Sequence, residues 1–130
     1  MKKVSVLICL SLVFFIFNCK QKDSDQITEV NVQEMQDLMQ LDNVQFVDIR
    51  TPKEFKAGYI AEAQNINFNS PTFTTDILKL DKDKPVLLYC HSGGRSAACA
   101  EKMKDLGFKK VYDFKGGFSK WKHEGLPYKK

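Results

Sequence analysis

The sequence predicts an α/β domain with three layers, in which helices cover both faces of a central, mainly parallel β-sheet. Mostly apolar runs at 44–49, 86–89 and 111–114 are typical of strands that are buried on both faces. Segments with helical signals lie between these runs, which is the pattern of successive strand–helix units. A chain of 130 residues has room for one such domain with its own core.

The elements in the first half of the domain follow from local signals. Residues 32–40 carry apolar side chains at helical spacing, and Asn31 can cap this helix. The run 44–49 is rich in β-branched residues and predicts a buried strand. Pro52 then opens a helical turn that Gly58 ends, because proline suits the first helical position and glycine suits the position after the last.

The second half adds two more buried strands and two helices. Residues 65–68 are candidates for a short strand, whereas 69–80 show no firm period. The strands are predicted at 86–89 and 111–114. The helices are predicted over 96–106, ending at Gly107, and around Phe118 and Trp121, ending before Gly125.

Residues 1–18 are unlike the rest of the chain. Lys2 and Lys3 precede the run 4–17, which only two serines interrupt. At about 1.5 Å per residue this run spans roughly 21 Å, which is short of a bilayer core of roughly 30 Å. The segment therefore predicts a cleaved export signal rather than a membrane-spanning helix.

Cys19 follows the apolar run after Asn18, and a polar stretch comes after it. This boundary resembles a bacterial lipoprotein signal, in which the cysteine is lipidated and becomes the mature N-terminus. The resemblance implies an exported protein held on a membrane by acyl chains and facing the periplasm, with 19–26 as a tether and 27–130 as the folded domain. An ordinary cleaved signal and an uncleaved anchor are the alternatives, because Phe17 and Asn18 are bulkier than the pattern prefers.

Charge and cysteine content exclude several classes of function. The whole chain has a net charge of +4, and without residues 1–18 the balance falls to +2, which gives no footprint for nucleic acid. If Cys9 is removed and Cys19 is lipidated, Cys90 and Cys99 are the cysteines of the domain. Two cysteines make no disulfide framework, and with two histidines they make no zinc motif, so neither a metal nor a cofactor is expected.

The segment Cys90–Ser96 (CHSGGRS) carries the strongest functional signal. Cys90 leaves the end of a buried strand, where parallel sheets place their sites, and a helix follows. The loop amides, the helix dipole and Arg95 all favour an anion, so Cys90 is predicted to have a lowered pKa and to act as a nucleophile. A merely packed cysteine is the alternative, but it requires neither Arg95 nor the paired glycines Gly93 and Gly94.

Several separated motifs in this order resemble the rhodanese family. They are Asp48-Ile49-Arg50, Glu54-Phe55, Gly58-Tyr59-Ile60, Asn65-Ile66, Cys90 to Ser96, and Gly116-Gly117-Phe118 with Trp121. The resemblance implies a rhodanese-like three-layer fold and a sulfurtransferase that moves sulfane sulfur through a Cys90 persulfide to a thiol or cyanide, without a cofactor. It also implies a persulfide cradle made by the amides of His91, Ser92, Gly93, Gly94, Arg95 and Ser96. Arg95 would hold an anionic donor such as thiosulfate.

Two features of the chain, the stretch 58–63 and the length of the loop from Cys90 to Arg95, bear on the activity that the resemblance implies. The commoner Gly-His-Ile-Pro-Gly-Ala stretch of the family is here Gly58 to Ala63 (GYIAEA), which changes the residues of a turn. Phosphatase-like relatives place five residues between the cysteine and the arginine, whereas four separate Cys90 from Arg95. The shorter loop favours a cradle for a single sulfur over one for a tetrahedral phosphate.

The roles of three residues near the site are open to two interpretations. Asp48 and Arg50 are either substrate-binding groups or an ion pair that supports the Cys90 loop, and the resemblance favours the ion pair. His91 is either a general base or a side chain that points outward from the curled loop, and its position next to Cys90 favours the second interpretation.

Alternatives also concern the helices and the activity as a whole. Cys99 is either a resolving thiol or a packed residue, and its Ala-rich helix face favours packing. Phe118 and Trp121 either bind an acceptor or complete the core, and we expect the core. A non-catalytic module that binds sulfur species or a partner protein is the alternative to an enzyme, and the presence of Cys90 argues against it.

Overall fold

The computed structural model describes residues 26–130. In this part of the chain, five strands and five helices alternate. They are β1 Ile27–Val30, α1 Val32–Met39, β2 Gln45–Asp48, α2 Pro52–Ala57, β3 Gln64–Asn65, α3 Phe73–Ile77, β4 Val86–Tyr89, α4 Gly94–Asp105, β5 Val111–Phe114 and α5 Gly117–His123. The predicted signal 1–18, Cys19 and all but the last residue of the tether 19–26 lie outside the described residues.

The strands form one parallel sheet in the order β1-β5-β4-β2-β3. All four residues of the central strand β4 are buried, as expected for a strand covered on both faces. Since parallel strands end at the same edge of the sheet, the loops after β2, β4 and β5 meet there. The predicted α/β class with a parallel sheet is confirmed.

Two apolar clusters on opposite faces of the sheet make the three layers. One cluster packs α3 and α4 against the sheet through Phe73, Ile77, Cys99, Met103, Val47, Leu88 and Val111. The other packs α1 and α5 against it through Met35, Phe118, Trp121, Phe46, Leu87 and Phe114. Burial of these side chains on both faces is the main force that holds the layers together. Phe118 and Trp121 belong to this core, as the sequence predicted.

Most predicted elements are found where expected, and four elements of the structure differ from the prediction. Helix α4 begins at Gly94 rather than at residue 96, because Gly93 turns the chain with a positive φ of 113°. Strand β1 is absent from the prediction; it lies at the sheet edge and only Val30 is buried, so it lacks an apolar run. Strand β3 covers 64–65 instead of 65–68, and α3 occupies part of the unassigned segment 69–80.

A tight turn after α2 contains a strained residue. The Ala63 amide donates a hydrogen bond to the Ile60 carbonyl over 3.2 Å, and Glu62, the third residue of the turn, has a φ of 69°. A positive φ at this position defines a type II turn, which prefers proline second and glycine third. Ala61 and Glu62 therefore occupy the places that Pro and Gly take in the commoner family stretch. The turn keeps its shape and carries the strain in Glu62.

Replacing Glu62 by glycine is expected to stabilise the domain by about 0.5 to 1 kcal/mol, because glycine adopts a positive φ without a steric penalty. The midpoint of chemical unfolding measures this change. Glu62→Ala is the matched control, since it removes the exposed carboxylate and keeps the Cβ atom. An equal gain in stability in both variants would show that the effect comes from removing the Glu62 carboxylate, and it would contradict strain from the positive φ.

Candidate active site

Cys90 lies directly after β4, at the edge of the sheet where the strands end. Its side chain is 1% exposed and packs in the same cluster as α4. The segment 91–93 curls back so that α4 starts beside the sulfur. The described part of the chain thus places a thiol at the meeting point of a central strand and a helix N-terminus.

Hydrogen-bond donors surround the Cys90 sulfur. The Gly93 amide donates to it over 3.0 Å, and the Cys90 thiol donates to the Ser96 Oγ atom over 3.5 Å. Burial alone would raise the pKa of the Cys90 thiol, but hydrogen bonding to the Ser96 side chain and to the amides of Ser96, Gly93 and Ser92 outweighs burial and lowers it. A thiol with a lowered pKa is present as the nucleophilic thiolate in a larger fraction near neutral pH.

The start of α5 fixes the shape of the Cys90 loop. The amide of Phe118 donates to the Cys90 carbonyl over 2.8 Å, and the amide of Ser119 donates to the His91 carbonyl over 2.9 Å. Gly117 permits this contact, because a Cβ atom there would lie 2.4 Å from the Cys90 carbonyl oxygen. Sequence reasoning assigned no role to Gly117, although a glycine pair shortly after a strand is a signal of close backbone approach.

Arg95 forms a two-pronged salt bridge with Glu54 of α2. Its Nη1 and Nη2 atoms donate to the two carboxylate oxygens over 2.8 and 2.7 Å. The same carboxylate completes a capping box with Thr51. The hydrogen bonds from Arg95 are the main cause that lowers the pKa of Glu54 to about 2. Sequence reasoning did not include Glu54 in the site, because 41 positions separate it from Arg95.

Asp48 and Arg50 form a buried ion pair at the end of β2. The Arg50 Nη2 atom lies 2.6 Å from the Asp48 carboxylate and also donates to the Gly58 carbonyl over 2.7 Å. The guanidinium carbon lies 4.2 Å from the centre of the Phe118 ring, at the start of α5. The Asp48 and Arg50 side chains are therefore bonded to each other, and Arg50 also to the end of α2. The pair lies next to α5, the helix that holds the Cys90 loop.

The other predicted residues divide into exposed and buried groups. His91 and Ser92 are exposed, Gly94 begins α4, and Ser96 is fully buried beneath the loop. Cys99 is buried on α4, and burial raises the pKa of its thiol to about 12. Cys90 and Cys99 are both free thiols.

Residues 26–130 offer neither a metal-binding cluster nor a helix that could cross a bilayer. No group of three or more His, Cys, Asp or Glu side chains in this range could hold a metal ion. No helix in the same range has the length and apolar character needed to cross a bilayer.

This fold and loop define a class of α/β protein in which a cysteine after a central parallel strand faces the amides of a short loop and a helix N-terminus. The sequence model of the rhodanese-like domain matches residues 31–124. The chain belongs to the rhodanese family.

Known proteins agree with this assignment. A thiosulfate sulfurtransferase GlpE from Tolumonas auensis is 36% identical over 99 residues, which are 75% of this chain and 91% of that protein. A sulfurtransferase from Allochromatium vinosum is 37% identical over 93 residues, which are 71% and 84% of the two chains. The crystal structure of a rhodanese-related protein from Thermoplasma volcanium aligns with a TM-score of 0.69 and 28% identity, covering 78% of this chain and 97% of that one.

Proposed function

We propose that this protein is a sulfurtransferase that carries sulfane sulfur as a persulfide on Cys90. The observation that carries the proposal is the sulfur environment: a buried thiol faces the Gly93 amide and the Ser96 hydroxyl, and its pKa is lowered. The names of the Tolumonas and Allochromatium relatives support the same class of reaction.

The reaction has two displacement steps. The Cys90 thiolate attacks the outer sulfur of thiosulfate, a bond forms between the two sulfurs, and the sulfur–sulfur bond of the donor breaks as sulfite leaves with the electron pair. An acceptor thiolate or cyanide then attacks the outer persulfide sulfur, and the Cys90 thiolate leaves. The donors that lower the Cys90 pKa stabilise the thiolate at the start and at the end of this cycle.

The size of the loop favours sulfur over phosphate. Four residues separate Cys90 from Arg95, and the Gly93 amide closes to 3.0 Å from the sulfur. A tetrahedral phosphate needs several free donors around it, and this loop offers a cradle suited to one sulfur atom.

Incubation with thiosulfate is expected to add one sulfur atom to the peptide that contains Cys90, as measured by peptide mass spectrometry. Cys90→Ser is expected to abolish this gain, and Cys99→Ser, at the second buried cysteine, is expected to keep it. The rate of sulfur uptake is expected to rise with pH and to reach half its maximum below the ordinary thiol pKa of 9.0, because the Cys90 pKa is lowered. Absence of sulfur on wild-type Cys90 with thiosulfate and with polysulfide would favour the non-catalytic module.

Arg95 is proposed to bind the sulfonate end of the donor through the N–H groups that Glu54 leaves unused. A guanidinium has five N–H donors, and the salt bridge uses one on each terminal nitrogen. The side chain is 28% exposed, so solvent and small anions reach it. Glu54 then holds the guanidinium in place and also reduces its positive charge toward a donor.

Arg95→Ala is expected to lower kcat/KM for thiosulfate about ten- to a hundred-fold, mainly through KM, since hydrogen bonds to charged groups contribute about 1.5–3 kcal/mol. Glu54→Gln is the matched variant: it removes the competing charge, keeps a side-chain oxygen for the cap of α2, and is expected not to raise KM. Steady-state kinetics with thiosulfate and cyanide measure both. An unchanged KM in Arg95→Ala would remove Arg95 from donor binding.

We further propose that the domain is exported and held on a membrane by a lipid on Cys19, with the domain facing the periplasm. The support is the sequence of residues 1–23 alone, where a basic start and a short apolar run lead to the cysteine. Metabolic labelling with a fatty-acid analogue in the native host is expected to mark the wild-type chain. Cys19→Ala is expected to lose the label, and equal labelling of both chains would reject the lipid anchor.

A further inference from the structure

A small cleft lies beside the Cys90 loop. Its volume is about 240 Å³, which suits a small molecule better than a drug-sized one. Its walls come from the segment after β2, from α2, from the Cys90 loop and from α5, and the lining residues are Arg50, Glu54, Ala57, His91, Phe118 and Lys122. On the α2 side it is Glu54, rather than Arg95, that lines the cleft, so the cleft is distinct from the group proposed above to hold the donor.

The cleft carries one positive charge that nothing offsets. Arg50 is paired with Asp48 over 2.6 Å, and Glu54 is paired with Arg95 over 2.7 Å, so the charges of these side chains cancel within each pair. Lys122 is exposed and belongs to none of the ion pairs that residues 26–130 form. The ammonium group of Lys122 is therefore the uncompensated charge of this wall.

The Phe118 ring holds the Lys122 ammonium group in place. The two residues lie four positions apart on α5 and so share one face of the helix. The Lys122 Nζ atom lies 5.0 Å from the centre of the ring, which is within the range of a cation–π contact. Phe118 is itself buried, and its amide donates to the Cys90 carbonyl over 2.8 Å. The charge is thus positioned by the same residue that fixes the Cys90 loop, and its three N–H donors face no carboxylate.

The second step of the proposed reaction brings a negatively charged acceptor to this place. The acceptor thiolate forms a bond to the outer persulfide sulfur, and the bond from that sulfur to Cys90 breaks with its electron pair left on Cys90. Any proton on the outer sulfur leaves with the new persulfide. A thiolate that also bears a carboxylate carries two negative charges, and an uncompensated cation on the wall attracts it more strongly than a thiolate with a neutral body.

We propose that Lys122 is a specificity-determining residue that selects small thiol acceptors bearing a carboxylate. The inference rests on the proposed function, because the acceptor takes its sulfur from the Cys90 persulfide, and it adds the chemical class of that acceptor. Arg95 and Lys122 then divide the work between them: Arg95 binds the anionic donor, and Lys122 binds the anionic end of the acceptor.

Single-turnover transfer from the full chain tests this division. Cys90 is loaded with thiosulfate, the donor is removed, and loss of the added sulfur is followed by peptide mass spectrometry with mercaptopropionate, mercaptoethanol or cysteamine, which share one body and differ in charge. We expect Lys122→Met, which keeps the apolar stem over Phe118, to lower the rate ratio of mercaptopropionate to mercaptoethanol about two- to five-fold, as for a charge pair at an exposed site. Lys122→Arg is expected to keep the ratio, and Lys122→Glu to shift the preference to cysteamine. An unchanged ratio in Lys122→Met and Lys122→Glu would overturn the proposal.

Two controls separate this role from other effects of charge. Lys120→Met removes the same charge from the same helix, but Lys120 is paired with Glu124 over 2.7 Å, so this variant is expected to keep the wild-type ratio. A fall equal to that of Lys122→Met would reduce the effect to net charge and overturn the proposal. A raised KM for thiosulfate in Lys122→Met with an unchanged acceptor ratio would assign Lys122 to the donor and overturn it as well.

Alkylation of Cys90 measures the charge of the cleft without any sulfur transfer. The ratio of the rates with iodoacetate, an anion, and with iodoacetamide, which is neutral, is expected to fall about two- to five-fold in Lys122→Met and to stay unchanged in Lys120→Met. If Cys90 takes no sulfur from thiosulfate and this ratio still falls, the proposed function fails, and Lys122 stands as the residue that selects anions. If sulfur is taken up and passed on but neither ratio depends on Lys122, the inference fails and the function stands.

Discussion

The contact between the start of α5 and the Cys90 loop is the constraint on which the site depends. A peptide unit is planar, so its carbonyl and the following amide point in opposite directions. Because Ser119 holds the His91 carbonyl, the Ser92 amide is turned the other way, to the Cys90 sulfur. Hydrogen bonds from α5 thus hold the loop carbonyls on the outer side and leave the loop amides to form the cradle for the thiolate. Gly117 allows α5 to come close enough to the loop for these bonds.

The ion pair of Asp48 and Arg50 extends this constraint to β2 and α2. Arg50 is bonded to the end of β2 through Asp48 and to the end of α2 through the Gly58 carbonyl, and its guanidinium covers the Phe118 ring. Phe118 is also the residue whose amide holds the Cys90 carbonyl. A buried ion pair contributes little net stability when its desolvation is counted, so its value here lies in fixing the orientation of α5.

Prediction from the sequence worked where one local signal determined the structure. The runs 86–89 and 111–114 are strands with those same bounds, because continuous apolar segments are buried on both faces. Cys90 was found because a glycine pair and an arginine follow it. By contrast, β1 was not predicted, because it is half-exposed at the sheet edge and has no apolar run. The pairing of Arg95 with Glu54 was not predicted either, because it joins two helices that are distant in sequence.

The balance of charge at the site explains why its hydrogen-bond donors matter so much. Arg50 is neutralised by Asp48, and Arg95 shares its charge with Glu54, so neither cation is fully available to the Cys90 sulfur. The thiolate therefore depends on amides and on one hydroxyl rather than on a net positive field. In such a site the loss or gain of one hydrogen bond is a large part of the total stabilisation.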